Sequence, residues 1–448
     1  MKNNKTIYVL SALFLMSLGG NTLCQAQNNN DDDYFLWGID KGEEWIDAIR
    51  IIEPACRSNI KGVVNVKFIA PGMFHAEAYC WGVPDQANPS HWGHDVNLTP
   101  KGIKLGKDGS GSFKFDAEKF PAGPMTVRIC ASDGKGQKDE FELQLYNKGG
   151  VKWKQGIPLN NPPGAKGLKL VFADDFDGTM SISNDGRNAR YCAHKPRFGD
   201  FGSWAFADVD GEDNPFEQYD GYLRIKARKQ EGKKGSTGLI ASVNMDGEGF
   251  WAKVPFYMEC RFIAQSAPGT WPAFWTVNQL DWGVPGGDEL DIIEAYGGRG
   301  KGRPNHEGYS VFSHYWGQVD ENGKGKNGDR TRVPIMGLGG KSYWSTTFHT
   351  YAVYAGYKET IYYFDNIEVF RHPTTDDTRN NPHIFLANLA IGGNPFPVDL
   401  ERYGNGSDMY IDYIRVYAEK ELKDFSSPPP ATKAVSYTHL RAHETEAD

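Results

Sequence analysis

The chain has 448 residues, with 52 Gly, 25 Pro, 13% aromatic and 39% hydrophobic residues. That is the composition of a turn-rich β protein, long enough for two or three domains. Its formal net charge of −8 argues against nucleic acid or an anionic membrane as partner, and against a strongly sulfated polysaccharide unless the binding cleft is locally basic.

Residues 1–26 combine a basic start (Lys2, Lys5), an apolar run over 7–18 and small residues at Cys24 and Ala26. This pattern predicts a secretory signal cut after Ala26. The apolar run is shorter than the roughly 20 residues a membrane span needs, so no span is expected. Lipoprotein anchoring at Cys24 is the alternative, and Leu23 argues against it, since a small residue is expected there. The expected location is therefore secreted, or periplasmic or cell-surface in a bacterium. Cys56, Cys80, Cys130, Cys192 and Cys260 remain after cleavage, an odd set with no C-x-x-C pair. That excludes the common zinc and redox motifs and leaves buried free thiols as the expected state.

After the polar tether 27–33, short alternating runs recur: VVNVKFIA (63–70), SFKFDA (112–117), MTVRICA (125–131) and EFELQLY (140–146). About seven strands over residues 34–147 suit a small immunoglobulin-like sandwich. Trp81, Trp92 and His94 would offer a sugar platform there, but packing is the expected role for such side chains. Residues 148–165, rich in Gly, Pro and Asn, read as a semi-rigid linker. Such a linker implies few contacts across it and a catalytic region, 166–420, that folds alone.

Strand patterns resume with LKLVFADDF (168–176), YLRIKA (222–227), STGLIASV (236–243) and FYMECRFIA (256–264), without helix-length periodicity. They predict a two-sheet jelly roll with a concave face. Within it, residues 268–298 read PGTWPAFWTVNQLDWGVPGGDELDIIEAYGG. Alternation of Glu289, Leu290, Asp291 and Ile292 puts both acids on one strand face. Glu294 joins them only if a β-bulge at Ile292–Ile293 adds one residue. Two glutamates leaning together across an aspartate suit a retaining glycosidase. A solvated edge, or a calcium site using Asp288, Glu289, Asp291 and Glu294, fits the same spacing.

ELDIIE resembles the E-x-D-x-x-E signature of glycoside hydrolase family 16, in the bulged form of its laminarinase-like and marine-galactanase members. GTWPAFW (269–275), FHTYAVY (348–354), YYFDNIEV (362–369), NLAIGG (388–393) and IDYIRVY (411–417) resemble that family's other motifs in order, over roughly residues 166–418. The resemblance implies a concanavalin A-like jelly roll with Glu289 as nucleophile, Asp291 as assisting carboxyl and Glu294 as acid/base. It implies Trp271 and Trp275 as cleft residues, and His314, in YSVFSHYW (309–316), as a partner on the adjacent strand. Trp316 joins them as a candidate sugar platform, with Trp282, Tyr315 and Trp344 as further aromatics that serve either cleft or core. No metal or cofactor is expected to be required, and a structural calcium ion is compatible with the reading.

A monomeric endo-acting hydrolase of β-1,3- or β-1,3-1,4-glucan is the leading expectation. A β-galactan of agar or porphyran type is the runner-up, on account of Arg299, Lys301 and Arg303 in the loop after Glu294. A transglycosylase or a non-cleaving glycan binder would keep the same fold. Residues 421–448 read as a disordered tail. Its last part, SYTHLRAHETEAD, resembles translated adapter sequence, and its His439 and His443 lack further metal ligands.

Overall fold

The structure, a computed structural model, describes residues 44–82, 95–197, 199–232, 234–280, 287–298, 308–323, 326, 328–335, 344–393 and 397–420. Residues 1–26, expected to be a signal, the segment 421–448, Trp92, His94, Trp282 and the basic stretch with Arg299, Lys301 and Arg303 lie outside them. Among the described residues no helix is long and apolar enough to cross a membrane, and all five cysteines that follow Cys24 are free.

Among the described residues, four sheets make two sandwiches. In the first module, a seven-stranded sheet centred on Gly123–Ser132 and Gln137–Asn147 faces a three-stranded sheet of Arg50–Glu53, Val63–Ile69 and Ser110–Asp116. Alternate residues from the two inner faces, Val64, Val66, Phe68, Phe113 and Phe115 against Val127, Ile129, Phe141 and Leu143, fill its core. The second module is a jelly-roll sandwich. Its ten-stranded sheet runs through Tyr222–Arg228, Gly406–Ala418, Phe256–Ala264 and His349–Ala355. Its eight-stranded sheet runs through Leu239–Ala241, Ile384–Ile391, Thr270–Val277, Gly287–Glu294, Gly308–Trp316 and Asp329–Pro334.

Period-2 alternation sorts the eight-stranded sheet cleanly. Phe274, Phe385, Ala387 and Leu389 enter the core shared with the ten-stranded sheet. Ala273, Trp275, Leu386 and Ala390 face the other way and form a separate apolar floor. That floor carries the cleft.

The two modules are not loosely strung. EFELQLY has no solvent face, because Phe141, Leu143 and Leu145 fill the first module's core while Glu140, Glu142 and Gln144 are also buried. The Glu142 carboxylate accepts from Ser266 N (3.2 Å) and Ser345 Oγ (2.8 Å) of the second module. Gln144 Nε2 donates to Asp408 O at 2.9 Å. Arg402 forks onto Asp139, with its Nη1 2.6 Å from Oδ2, and Tyr403 stacks on Phe141 with centroids 4.4 Å apart. The linker is pinned as well: Trp153 packs on Phe348, and Gly156 N donates to Asp412 Oδ1 at 2.8 Å. The expectation of few contacts across residues 148–165 is thus overturned. Proline and glycine there shape a segment that threads a buried seam, and the polar half of an alternating strand finds its partners in the other module instead of in water. Trp81 belongs to this seam too, packed beside Trp153, Arg261 and Phe348.

Candidate active site

The Gly287–Glu294 strand pairs with Thr270–Val277 on one side and Gly308–Trp316 on the other. Asp291 lies opposite Phe312, yet Glu294 lies opposite Ser310. Three steps on one strand match two on its neighbour, which is the single-residue bulge the acid spacing calls for. Burial explains why the chain takes it. Both Ile292 and Ile293 are buried in the core, where each side chain contributes about 1.5–3 kcal/mol. A regular strand would turn Ile293 into the cleft and Glu294 into the core.

With the bulge, Glu289, Asp291 and Glu294 line one cleft of about 380 Å³, together with Trp271, Trp275, His314 and Trp316. The sequence-predicted residues therefore meet in one place. Asp288 points away. Its carboxylate accepts from Gln318 Nε2 (2.5 Å), Thr378 N (3.0 Å), Thr378 Oγ1 (2.6 Å) and Thr375 Oγ1. These bonds tie the start of the Gly287–Glu294 strand to the first turn of the Asp376–Asn380 helix and remove Asp288 from the four-carboxylate calcium arrangement. Glu289, Asp291 and His314 each place one donor atom within 4.8 Å of the others. That proximity alone would admit a cation, but an indole N–H already points into this group, and calcium takes six to eight oxygens.

The two glutamates have different partners. Glu294 Oε1 accepts from Trp271 Nε1 (3.1 Å) and Tyr296 OH (3.0 Å). Burial, then the charge of Asp291, push its carboxyl up to about 8, against the opposing His314 and the Tyr296 hydrogen bond. Glu289 Oε2 accepts from Trp316 Nε1 at 3.0 Å. Asp291 is pushed well above the carboxylate range, first by burial and then by the Glu289 charge and a hydrogen bond to it, so that a proton and a negative charge are shared within the pair. His314 Nε2 stands 3.2 Å from Asp291 Oδ2, close enough for an ion pair but off the line of a hydrogen bond. His314 is itself stacked between Phe312 (3.8 Å) and Trp316 (4.8 Å), a three-ring row on alternate positions of one strand.

Trp275 lies in the floor, its Nε1 donating to Asn388 Oδ1 at 2.8 Å, whereas Trp271 and Trp316 keep exposed surface beside the acids. Trp344 is core, fully buried, and Tyr315 bonds Asp329 away from the cleft.

Several lining residues escaped the sequence reading: Lys195, Phe201, Tyr296, Phe312, Arg330 and Asn388. Tyr296 and Phe312 had a signal, since each stands two positions from a residue already placed on the cleft face. Lys195 and Phe201 come from irregular chain after the Tyr191–Cys192 strand, where no period exists to read.

The chain is similar in part to known glycanases. A 213-residue stretch is 27% identical to the Endo-1,3-1,4-beta-glycanase EglC of Rhizobium meliloti (strain 1021), covering 46% of this chain and 40% of that protein. It is 28% identical to ExsH, another endo-1,3-1,4-beta-glycanase of the same organism, over the same shares. The chain thus spans two fifths of the length of these curated relatives. Among solved structures, SCLam, a non-specific endo-beta-1,3(4)-glucanase, aligns with 23% identity and a TM-score of 0.44 over 59% of this chain and 96% of its own. A laminarinase from Flavobacterium sp. UMI-01 aligns with 24% identity and a TM-score of 0.42 over 56% and 100%. The family model of Glycosyl hydrolases family 16 matches residues 210–415. That span holds every lining residue of the cleft except Lys195 and Phe201, so the region that matches the model of this family is the region that builds the cleft.

Proposed function

We propose that the chain is an exported, endo-acting, retaining glycosidase that hydrolyses β-1,3- or mixed β-1,3-1,4-glucan. One observation carries the reading. A single bulged strand sets two glutamates in one cleft, with Glu294 holding a proton at neutral pH and Glu289 receiving an indole N–H. Glu289 attacks the anomeric carbon as Glu294 gives its proton to the departing glycosidic oxygen. Glu294 then takes a proton from water, which displaces Glu289 and restores the original anomeric configuration. Asp291 supports the nucleophile through the proton it shares with it. Trp271 and Trp316 offer ring faces to pyranose C–H groups.

The β-glucan choice rests on the curated relatives, both endo-1,3-1,4-beta-glycanases. Arg330 on the cleft wall favours a second reading, a β-galactan bearing anionic groups. A panel of laminarin, mixed-linkage glucan, agarose and porphyran separates the two, with new reducing ends as the measure and NMR of the first products as the stereochemical readout. We expect a β-configured first product from laminarin or mixed-linkage glucan. Cleavage of agarose or porphyran alone would replace the substrate, and an α-configured first product would overturn the mechanism.

A further inference from the structure

Lys195 is 6% exposed yet carries an ammonium. A buried cation persists only where opposite charge and polar contacts replace its water. Its Nζ sits 5.4 Å from the centroid of Trp275 and 5.3 Å from that of Phe201, held over two aromatic faces. Trp275 is the cross-strand partner of Asp291, whereas Glu294 is paired with Ala273, two residues further along. At about 3.3 Å per residue, that separates the two rungs by roughly 7 Å. The ammonium thus stands over the ring of the residue paired with Asp291, while the donors to Glu294, Trp271 and Tyr296, are neutral.

We propose that Lys195 is a positioning residue that fixes the negative charge of the carboxylate cluster at its Glu289–Asp291 end, so that the proton is left on Glu294. This rests on the glycosidase reading above. The groups facing Lys195 agree. Glu289 and Asp291 supply the attraction that offsets its burial, followed by Asp200 on its own irregular segment. Lys195 is in turn the cation that opposes the upward push on Asp291, whereas His314 is the foremost cation opposing the push on Glu294. On the far wall stand His314 and Arg330. Neighbouring His194 is engaged elsewhere, 2.8 Å from Asp208 and 3.5 Å from Asp200.

The test uses the full chain carrying Lys195→Met, Lys195→Gln or Lys195→Arg, each checked for folding by circular dichroism. Carbon-13 NMR of the side-chain carboxyls, without substrate, follows the titration of the cluster. In the Met and Gln variants its first ionisation should move up by about one pH unit or more. The acid limb of kcat/KM should move with it, lowering activity about tenfold below that limb. The Arg variant, always charged, should restore both. An unmoved carboxyl titration in the Met and Gln variants, or a raised KM with an unmoved acid limb, would overturn the proposal and make Lys195 a substrate contact. If the native chain cleaves no polysaccharide yet the titration shifts as stated, Lys195 keeps its role and the glycosidase reading falls. Active native protein with an unshifted titration sinks only the Lys195 inference.

Discussion

Two buried glutamates, Glu294 in the cleft and Glu142 in the seam between the modules, are both pushed up to about 8, in each case chiefly by burial. By that measure alone they are equivalent candidates for chemistry. Their surroundings part them. Glu142 is closed in by Ser266 N and Ser345 Oγ, is buried in the seam, and has Glu140 as its chief acidic influence. Glu294 faces a cleft large enough for sugar rings, with indole, phenol and two more acids around it. A raised carboxyl marks a cost of burial, and only access and partners tell whether that cost serves a reaction or an interface.

The largest effects should come from breaking the cleft member of the comparison. Glu289→Ala should lower turnover by about 10^4-fold or more, with azide restoring release from an activated aryl glycoside as a product of inverted configuration. Glu294→Ala should still form the glycosyl-enzyme from substrates with good leaving groups, then stall, and azide should give a product of retained configuration. Glu142→Gln should leave kcat within a few-fold. Equal losses in Glu142→Gln and Glu294→Ala would erase the distinction drawn here.

The seam should matter next, and for stability. An isolated 166–420 segment would bare Tyr222, Phe348 and Tyr410, which are buried together with Tyr146 of the first module. It would also leave Arg402 without Asp139 and Asp408 O without Gln144. A hydrogen bond between charged groups contributes about 1.5–3 kcal/mol and a neutral one about 0.5–1.5 kcal/mol, and losing one of each lowers Tm by about 10 °C in a domain of this size. Calorimetry on the segment and the full chain should register that drop or outright insolubility. Matching melting temperatures would restore the picture of a free catalytic module.

The cleft was far more legible in the sequence than the seam. Glu289, Asp291 and Glu294 advertise themselves because ionisable residues interrupt an otherwise apolar strand, and two adjacent isoleucines betray the bulge that gathers them. Resemblance to the family's motifs, not periodicity, places Trp271, Trp275 and His314 beside them, and Trp316 follows as an aromatic close to that histidine. The seam carries no such contradiction: the alternation of EFELQLY is what an ordinary half-solvated strand shows, and whether its polar side meets water or a second module depends on tertiary docking. Lys195 was hidden differently, on irregular chain that reaches the acids only after both sheets have closed.

The effect confined to a pH window is the most selective. Glu142 has a folded-state value of about 8 against an ordinary 4.5, so the stability it confers is complete below about 4.5 and is lost as pH rises toward 8. Across that window it should cost the native chain up to about 1.4 kcal/mol per pH unit. Glu142→Gln cannot ionise, and its amide can still accept from Ser266 N and donate to Ser345 Oγ, so its melting temperature should lack this component. Asp291 and Glu294 tilt both proteins alike, because they are untouched by the substitution, and they cancel in the difference. Plotted against pH, the native curve should therefore fall toward or below that of Glu142→Gln between about 4.5 and 8 and run parallel to it above 8. Parallel curves throughout would mean that Glu142 is ionised in the folded protein, with its charge offset by groups other than the two serines.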